Sequence, residues 1–294
     1  MTLPLTASIV VYRSTPNELA PLLRALASAE LVQWAVVDNA ASEQAQASKE
    51  LETLVNHLQG LYIPAPSNLG FGAGHNLALK RLSDLPAEFH VLVNPDIEFA
   101  ADVLPALVDA MRARPAAAMM MPRVIYPDGA FQPLCKLLPT PADFALRRFT
   151  PSWLQRMFQR RLDRYEMRGI ENMECSHVPF LSGCFLFTRR HLLEGVGGFD
   201  KRYFLYMEDV DLCRRMATCG DLVYWPNVTV IHGCYRGAYR SMSLMLIFVR
   251  SAVRYFTWWG WIFDPERDKA NRAALNFLSE HCPARQANAG KAQT

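Results

Sequence analysis

Short apolar runs alternate with amphipathic helical patterns over the first hundred residues. Runs rich in β-branched and aromatic residues, bounded by turn formers, predict buried strands, whereas apolar residues three and four positions apart predict helices. The predicted strands are 7–12, 35–37, 61–63 and 89–93, and the predicted helices begin at residue 16, include 51–58 and span 76–82. The resulting βαβαβαβ order favours a parallel sheet with helices on both faces.

Polar residues follow three of these predicted strands. Asp38 closes the second strand, Asn68 comes shortly after the third, and Asp96 comes after the fourth. Ligands of open α/β sheets bind at the carboxyl ends of the strands, so these side chains predict a site there. For Asp38 alone, an Asx turn that ends the strand is the alternative.

An acidic cluster lies farther along the chain. Glu208, Asp209 and Asp211 fall within four residues, beside aromatic side chains. Like charges and burial both raise carboxyl pKa values, so the cluster indicates a carboxylate tuned to accept a proton. A charged helix start is the alternative.

The residues after this cluster have a helical pattern. A helix over 209–219 would bury Leu212, Met216 and Cys219 on one face and end at Gly220. Asp209 and Asp211 would then point about 200° apart, so the two carboxylates cannot serve the same bond. Asp211 is better explained as a first-turn acid stabilised by the helix dipole.

A glycine-rich segment, Gly70–Gly74, has the spacing G-x-G-x-G. A dinucleotide fingerprint needs G-x-G-x-x-G after the first strand, so that interpretation is weak. Two interpretations stay open: backbone N–H groups that cradle a diphosphate at a helix start, or a tight turn that needs positive φ.

Six motifs occur in one order along the chain. They are Val36–Asn39, Asn68–Asn76, Asn94–Asp96, Pro122–Gly129, Gly197–Asp200 and Phe204–Leu212. Together they resemble the large family of inverting GT-A-fold glycosyltransferases, and most of all its rhamnosyltransferases of bacterial surface-polysaccharide assembly. The resemblance covers roughly residues 8–233. It implies an α/β fold with a Rossmann-like, mostly parallel sheet, helices on both faces and a C-terminal helical extension.

The resemblance also implies roles for individual residues. A divalent cation, Mg²⁺ or Mn²⁺, would be bound by Asp96 and His232, with Asn94 replacing the first acid of the family's Asp-x-Asp motif. The catalytic residues would be Asp209, as the general base, and Glu208, which would bind acceptor hydroxyls or raise the pKa of its neighbour. Contacts to the nucleotide-sugar donor would come from Tyr12, Asp38, Asn68, Gly70, Asn76, Asn94 and Asp96, and contacts to the acceptor from Glu208, Ser182 and Gly183.

Two segments suggest contact with a membrane or a partner. Arginines repeat every four residues at 156, 160, 164 and 168 beside an apolar stripe, and tryptophans cluster at 258, 259 and 261. A basic amphipathic helix can lie on an anionic membrane or meet a lipid-linked acceptor, and the alternative is a solvated face over a packed core. The C-terminal aromatic helix could contact a membrane, a second subunit in a homo-oligomer, or the catalytic domain.

Composition narrows the class. The chain has 294 residues, 51% hydrophobic and 20% charged, with a net charge of +3, which gives no argument for nucleic acid. Seven cysteines without C-x-x-C pairs and the lack of a secretory pattern at the start predict free thiols in a cytoplasmic protein. The arginine and tryptophan segments predict that it lies peripherally on the inner membrane face. We expect a catalytic domain at 1–240 (nucleotide half 1–100, acceptor half 101–240), a helical extension at 241–281 and a disordered tail at 282–294.

The function expected from the resemblance is transfer of a sugar, L-rhamnose from dTDP-L-rhamnose, to a lipid-linked or oligosaccharide acceptor. The same fold could use a UDP-hexose or UDP-galactofuranose instead. A non-catalytic sugar-nucleotide-binding subunit is a third interpretation, although it would not need a base such as Asp209. A nucleotidyltransferase would carry a glycine-rich phosphate loop after the first strand, where residues 12–16 read Tyr-Arg-Ser-Thr-Pro.

Overall fold

The computed structural model describes residues 2–233 and 242–281. The strands are β1 (Leu3–Val11), β2 (Leu31–Asp38), β3 (Leu61–Pro64), β4 (Phe89–Val93), β5 (Ile97–Phe99), β6 (Ala117–Ile125), β7 (Cys135–Lys136), β8 (Phe180–Leu181), β9 (Phe185–Arg189) and β10 (Asp221–His232). The helices are α1 (Pro16–Ser28), α2 (Ala45–His57), α3 (Phe71–Arg81), α4 (Val103–Arg112), α5 (Pro141–Phe149), α6 (Ser152–Met157), α7 (Gln159–Tyr165), α8 (Arg190–Gly195), α9 (Glu208–Met216), α10 (Met242–Trp259) and α11 (Pro265–His281).

The main sheet has the strand order β3-β2-β1-β4-β9-β6-β10-β5, and β7 pairs with β8 in a separate two-stranded sheet. The first four strands are parallel, as the βαβαβαβ pattern predicts. Strand β9 runs antiparallel to both of its neighbours, and β10 is parallel to β6. The predicted mostly parallel α/β sheet is confirmed, and its carboxyl edge gathers the ends of β1, β2 and β4.

Helix α3 begins at Phe71, earlier than the predicted residue 76. Its glycines are helical because the helix packs very close to its neighbours: a Cβ would lie 2.7 Å from Phe199 at Gly72 and 2.8 Å from Val10 at Gly74. The glycine pattern therefore marks close approach of a helix rather than a succession of turns.

Two other predictions about helices are wrong. Helix α9 ends at Met216 and leaves Cys219 exposed, because the chain turns into β10. Gly220 is needed there for space, since a Cβ would lie 2.4 Å from the Ala116 carbonyl oxygen. The basic segment forms two short helices, α6 and α7, which are separated at Phe158 (φ −105°, ψ 20°).

The C-terminal helices pack on the catalytic part of the chain. Arg214 of α9 makes a buried ion pair with Asp264 at 2.6 Å, and the Asn271 side chain of α11 pairs with the backbone of Leu138 at 2.7 and 2.9 Å. No helix of the described residues is long and apolar enough to cross a membrane. The predicted tail, 282–294, lies outside the described residues, as do 234–241. All five cysteines of the described ranges are free thiols and four are buried, as predicted.

Candidate active site

Asp38 lies buried at the carboxyl end of β2, with its carboxylate already engaged. Its Oδ1 accepts from the Ala40 N–H at 2.8 Å, which is the Asx turn that the sequence allows, and its Oδ2 accepts from Ser48 and Tyr62 at 2.6 and 2.8 Å. Tyr12, 44% exposed, follows β1 at the same edge and donates to Glu43. The proposed nucleobase contacts of Asp38 and Tyr12 remain predictions.

Asn39, the next residue, orders the glycine-rich turn. Its side-chain amide donates to the Gly70 carbonyl at 2.9 Å and accepts from the Leu69 N–H at 3.3 Å. Gly70 has φ +81°, and a Cβ there would lie 1.9 Å from the Phe204 carbonyl oxygen. Asn68 accepts from the Gly70 N–H at 3.0 Å. Only glycine fits this turn, so the positive-φ interpretation holds at Gly70.

Asn76 connects α3 to the loop before α9. Its amide donates to the Phe199 carbonyl at 2.7 Å and accepts from the Phe199 N–H at 2.8 Å. Both polar ends of the side chain are used in this way. The geometry gives Asn76 a structural function, and its predicted donor contact stays a prediction.

A second polar group forms where β4 and β10 end. Nε2 of His232 lies 3.3 Å from Oδ1 of Asp96 and 3.4 Å from the side-chain nitrogen of Asn94. On the other side of the ring, Nδ1 of His232 lies 2.9 Å from Oε1 of buried Gln132. The Gln132 amide nitrogen donates to the His232 carbonyl at 2.8 Å, which fixes the orientation of the amide. Nδ1 therefore carries a proton, and Nε2 faces Asp96.

These side chains suit a divalent cation that also takes ligands from a diphosphate. Within the described residues there is no cluster of three or more His, Cys, Asp and Glu side chains. To such a cation, Asp96 would supply a carboxylate, His232 an imidazole lone pair and Asn94 an amide oxygen. Mg²⁺ and Mn²⁺ accept such oxygen-rich sets, and substrate phosphates commonly complete them. The Gln132 contact is the outer hydrogen bond that metal-binding histidines usually make.

The acidic cluster follows a strained piece of backbone. Tyr206 and Met207 both have left-handed φ values, 69° and 67°, directly before α9 begins. Asp209 of α9 accepts from the Gly183 N–H at 2.9 Å through Oδ2 and from the Val210 N–H at 2.9 Å through Oδ1. Asp211 is buried, pairs with Arg215 at 2.8 Å and accepts from Trp259 at 2.9 Å. The two aspartates point to different surroundings, as the helical period predicts.

Burial sets the protonation of Glu208 and Asp209. Desolvation, with the neighbouring Asp209 charge, raises the pKa of Glu208 to about 8. Desolvation also raises the pKa of Asp209, while the Gly183 N–H and the Lys136 ammonium group oppose that rise. Within the described residues, Glu208 Oε2 has no hydrogen-bond partner. Burial therefore favours the protonated form of Glu208 at neutral pH, whereas the Gly183 N–H and Lys136 favour the ionised form of Asp209.

A short segment joins the two acidic sites. The Gly183 N–H binds Asp209, and the next residue, Cys184, accepts from the Asn94 N–H at 2.8 Å. The Ser182 N–H is bound to the Leu134 carbonyl at 3.1 Å, and Ser182 lines a cavity beside Asp209. The predicted metal group and the predicted base are thus held by adjacent residues of one backbone segment.

The cavity beside Asp209 has a volume of about 330 Å³. Its aromatic wall includes Phe144 and Phe248, whose ring centroids are 4.3 Å apart, and Tyr206, 5.3 Å from Phe248. Lys136 and Arg147 also line it. Because Phe248 belongs to α10, the C-terminal extension forms part of this cavity.

Sequence reasoning missed three residues of this site. Asn39 was visible only as the neighbour of Asp38, and Gln132 carried no signal of its own. Lys136 interrupts the apolar run Leu134–Leu138, and a lone lysine there was a usable sign of a buried charge.

Comparisons with known proteins give the family. No protein-family model matches the chain. It is 30% identical over 213 residues, 67% of this chain and 68% of the relative, to an N-acetylglucosaminyl-diphospho-decaprenol L-rhamnosyltransferase of Mycobacterium tuberculosis. It is 26% identical over 191 residues, 62% of this chain and 67% of the relative, to the rhamnosyltransferase WbbL of Escherichia coli.

Among solved structures, the mannosyltransferase PcManGT of Pyrobaculum calidifontis, in complex with GDP-Man and Mn²⁺, is similar in fold. The TM-score is 0.54 with 17% identity, over 99% of this chain and 80% of that one. Sequence similarity, fold and the order of the motifs agree: the chain belongs to the family of GT-A-fold glycosyltransferases that includes these bacterial rhamnosyltransferases.

Proposed function

We propose that this glycosyltransferase inverts the anomeric centre of its donor and transfers L-rhamnose from dTDP-L-rhamnose to a lipid-linked saccharide in cell-surface polysaccharide synthesis. The observation that carries the proposal is the position of Asp209, held by Gly183 at a cavity next to the Asn94, Asp96 and His232 group. The names of the two relatives support rhamnose, and the name of the mycobacterial relative supports a diphosphate-lipid acceptor.

The reaction needs one base. An acceptor hydroxyl oxygen forms a bond to the anomeric carbon while the bond from that carbon to the diphosphate breaks, and the hydroxyl proton passes to Asp209. Each Asp209 oxygen accepts one backbone N–H and keeps a lone pair for this proton. Asp96 and His232 would hold the cation, which neutralises the charge that grows on the departing nucleoside diphosphate.

A donor screen tests this function. Thermal melting with dTDP-L-rhamnose, UDP-hexoses and UDP-galactofuranose, with and without Mn²⁺, should show the largest stabilisation with dTDP-L-rhamnose and cation together, since a ligand of the folded state raises stability. Asp96→Ala and His232→Ala should each reduce the part of this stabilisation that depends on the cation. The control variant Lys80→Met, at an exposed position, should not reduce it.

Transfer itself is then measured with an N-acetylglucosaminyl diphosphate bearing an alkyl chain, and NMR should show inverted anomeric configuration in the product. Turnover with a UDP-sugar and none with dTDP-L-rhamnose would show that the UDP-sugar is the donor. Full activity in excess chelator would refute the catalytic cation. Donor binding without transfer to any saccharide would favour a non-catalytic subunit.

A further inference from the structure

Lys136 is a buried amine that the catalytic base does not explain. It lies on β7, is 6% exposed, and lines the cavity beside Asp209. Its ammonium group is 5.7 Å from the ring centroid of Phe180, and within the described residues it has no hydrogen bond or ion pair. Because an ammonium group is costly to bury without a partner, this lysine points to a ligand whose anion would pair with its charged form.

Most carboxylates around the cavity are already neutralised. Asp143 is paired with Arg161 at 2.5 Å, and Glu166 with Arg168 at 2.8 Å. Burial raises the pKa of Glu208 to about 8, so it carries little charge at neutral pH. Asp209 is then the main negative group in the cavity, which Lys136 and Arg147 also line.

Arg147 is the second basic residue that lines the cavity. Its nearest carboxylate oxygen, on Glu166, is 4.0 Å away, and its side chain is 43% exposed. Glu166 already has the closer partner Arg168. The guanidinium group of Arg147 is therefore available to a bound anion, and its planar donors match phosphate oxygens.

Together these features describe a ligand with two ends. One end must present a hydroxyl group to Asp209, and the other an anion to Lys136 and Arg147. The aromatic side chains Phe144, Tyr206 and Phe248 line the cavity and offer apolar faces against which a sugar ring or an alkyl chain could pack. A neutral sugar would supply no anion to either basic side chain.

We propose that this cavity is the acceptor site and that Lys136 and Arg147 bind the phosphate groups of a glycosyl diphosphate acceptor. The inference rests on the proposed function for the acceptor hydroxyl group at Asp209. It adds a phosphate-binding site that is separate from the cation-dependent donor diphosphate site at Asp96 and His232.

The test compares two synthetic acceptors that differ only in phosphate: N-acetylglucosamine on an alkyl diphosphate, and the same sugar as an alkyl glycoside. Binding is measured by calorimetry in chelator with saturating dTDP, which keeps the probes out of the donor site. The wild-type protein should prefer the diphosphate probe. Lys136→Met and Arg147→Gln should each lower that preference about 10- to 100-fold, as expected for a lost charged hydrogen bond.

Conservative and matched variants make the test specific. Lys136→Arg should keep most of the preference, and Lys80→Met, which removes an exposed lysine of α3 outside the cavity, should keep all of it. A third probe, N-acetylglucosamine 1-phosphate, shows whether the natural acceptor is lipid-linked or soluble. Binding of either kind of acceptor should depend on Lys136. Tighter binding of the probe that bears an alkyl chain would indicate a lipid-linked acceptor.

A preference for phosphate that is unchanged in folded Lys136→Met and Arg147→Gln would overturn the inference, even if rhamnosyl transfer proceeds. Equal wild-type affinity for the two probes would overturn it too. Conversely, Lys136-dependent binding of the diphosphate probe without any transfer would refute the proposed function and leave the phosphate site standing.

Discussion

Neighbouring acidic residues of α9 have three different environments. Among the residues that the structure describes, Glu208 is buried without a partner for Oε2. Asp209 faces the cavity and accepts two backbone N–H groups, and Asp211 is buried in an ion pair with Arg215. Sequence alone shows only the density of charge. The direction of each side chain, set by the helix start at Glu208, separates their functions.

The first prediction concerns the base. Asp209→Asn should lower transfer by about 10²- to 10⁴-fold, because general-base loss typically costs that much, while donor binding is kept. Steady-state transfer and calorimetry with dTDP would measure both. Asp211→Asn should instead lower the melting temperature, through its contacts with Arg215 and Trp259, and affect transfer far less. The opposite ranking of the two variants in turnover would move the base to Asp211.

The second prediction concerns the stability cost of Lys136. Burial lowers its pKa from 10.5 to about 7, so between these values the unfolded chain binds a proton that the folded protein does not. The free energy of unfolding should therefore rise with pH across this window. The full loss of stability caused by burying the charged lysine should be present below about pH 7. Lys136→Met should be more stable than wild type at pH 6.5, and its advantage should shrink towards pH 10.

Urea unfolding at several pH values measures this difference, with Lys80→Met as the matched exposed control. An advantage that stays constant with pH would show that Lys136 does not titrate in the folded state. A less stable Lys136→Met at pH 6.5 would mean that the lysine is paired.

At the scale of elements, the hydrophobic period predicts the first half of the fold well. Strands β1 to β4 and helices α1 and α2 follow from it because each is a regular run between turn formers. The second half is less regular: β7 and β8 have two residues each, and α6 and α7 are separated at Phe158. Tertiary contacts determine such short elements, so the local hydrophobic pattern cannot predict them.

The same limit applies to the site. Asp96, Asp209 and His232 could be named because ordered motifs carry a family resemblance. Gln132 and Lys136 could not, because their importance depends on which side chains lie opposite them after folding. The contribution of α10 to the cavity through Phe248 was equally hidden, since the sequence shows an aromatic helix and not its neighbours.

The third prediction tests whether the C-terminal helices belong to the catalytic domain. Arg214 and Asp264 are 4% and 3% exposed, so Asp264→Ala would leave a buried charge unpaired and should lower the free energy of unfolding by about 3–5 kcal/mol. Chemical denaturation should show one cooperative transition, moved to lower denaturant. Arg112→Ala, which breaks an ion pair whose partners are 52% and 39% exposed, should cost about 1 kcal/mol or less.

An unchanged midpoint for Asp264→Ala would show that α11 contributes little to the fold. Two separate transitions in the wild-type protein would mean that the helical extension unfolds as its own unit. Replacing both partners with apolar residues, Arg214→Met with Asp264→Leu, should restore much of the lost stability, because neither charge of this pair is then left buried alone.

At the scale of the whole molecule, apolar side chains are exposed in the two regions that the sequence singles out for membrane contact. The most exposed are Trp153, Met157, Met242, Leu246, Trp258, Ile262 and Phe263. Arg156, Arg160 and Arg164 are exposed on α6 and α7. Helix α10 connects the two features to the site, because Phe248 packs on Phe144 at the cavity while Leu246 faces solvent.

The last prediction is peripheral binding to an anionic membrane. Basic residues near such a surface contribute about 1 kcal/mol each, and tryptophan favours the headgroup region, so the protein should bind phosphatidylglycerol vesicles at low salt and less as salt rises. Changing Arg156, Arg160 and Arg164 to Glu should abolish this binding while dTDP binding persists. The same reversal at exposed Arg24, Arg81 and Arg112 has equal net charge and should weaken vesicle binding far less. If the wild-type protein does not sediment with anionic vesicles even at low salt, these exposed apolar groups serve another partner, and an acceptor carried on a lipid must reach the cavity from solution.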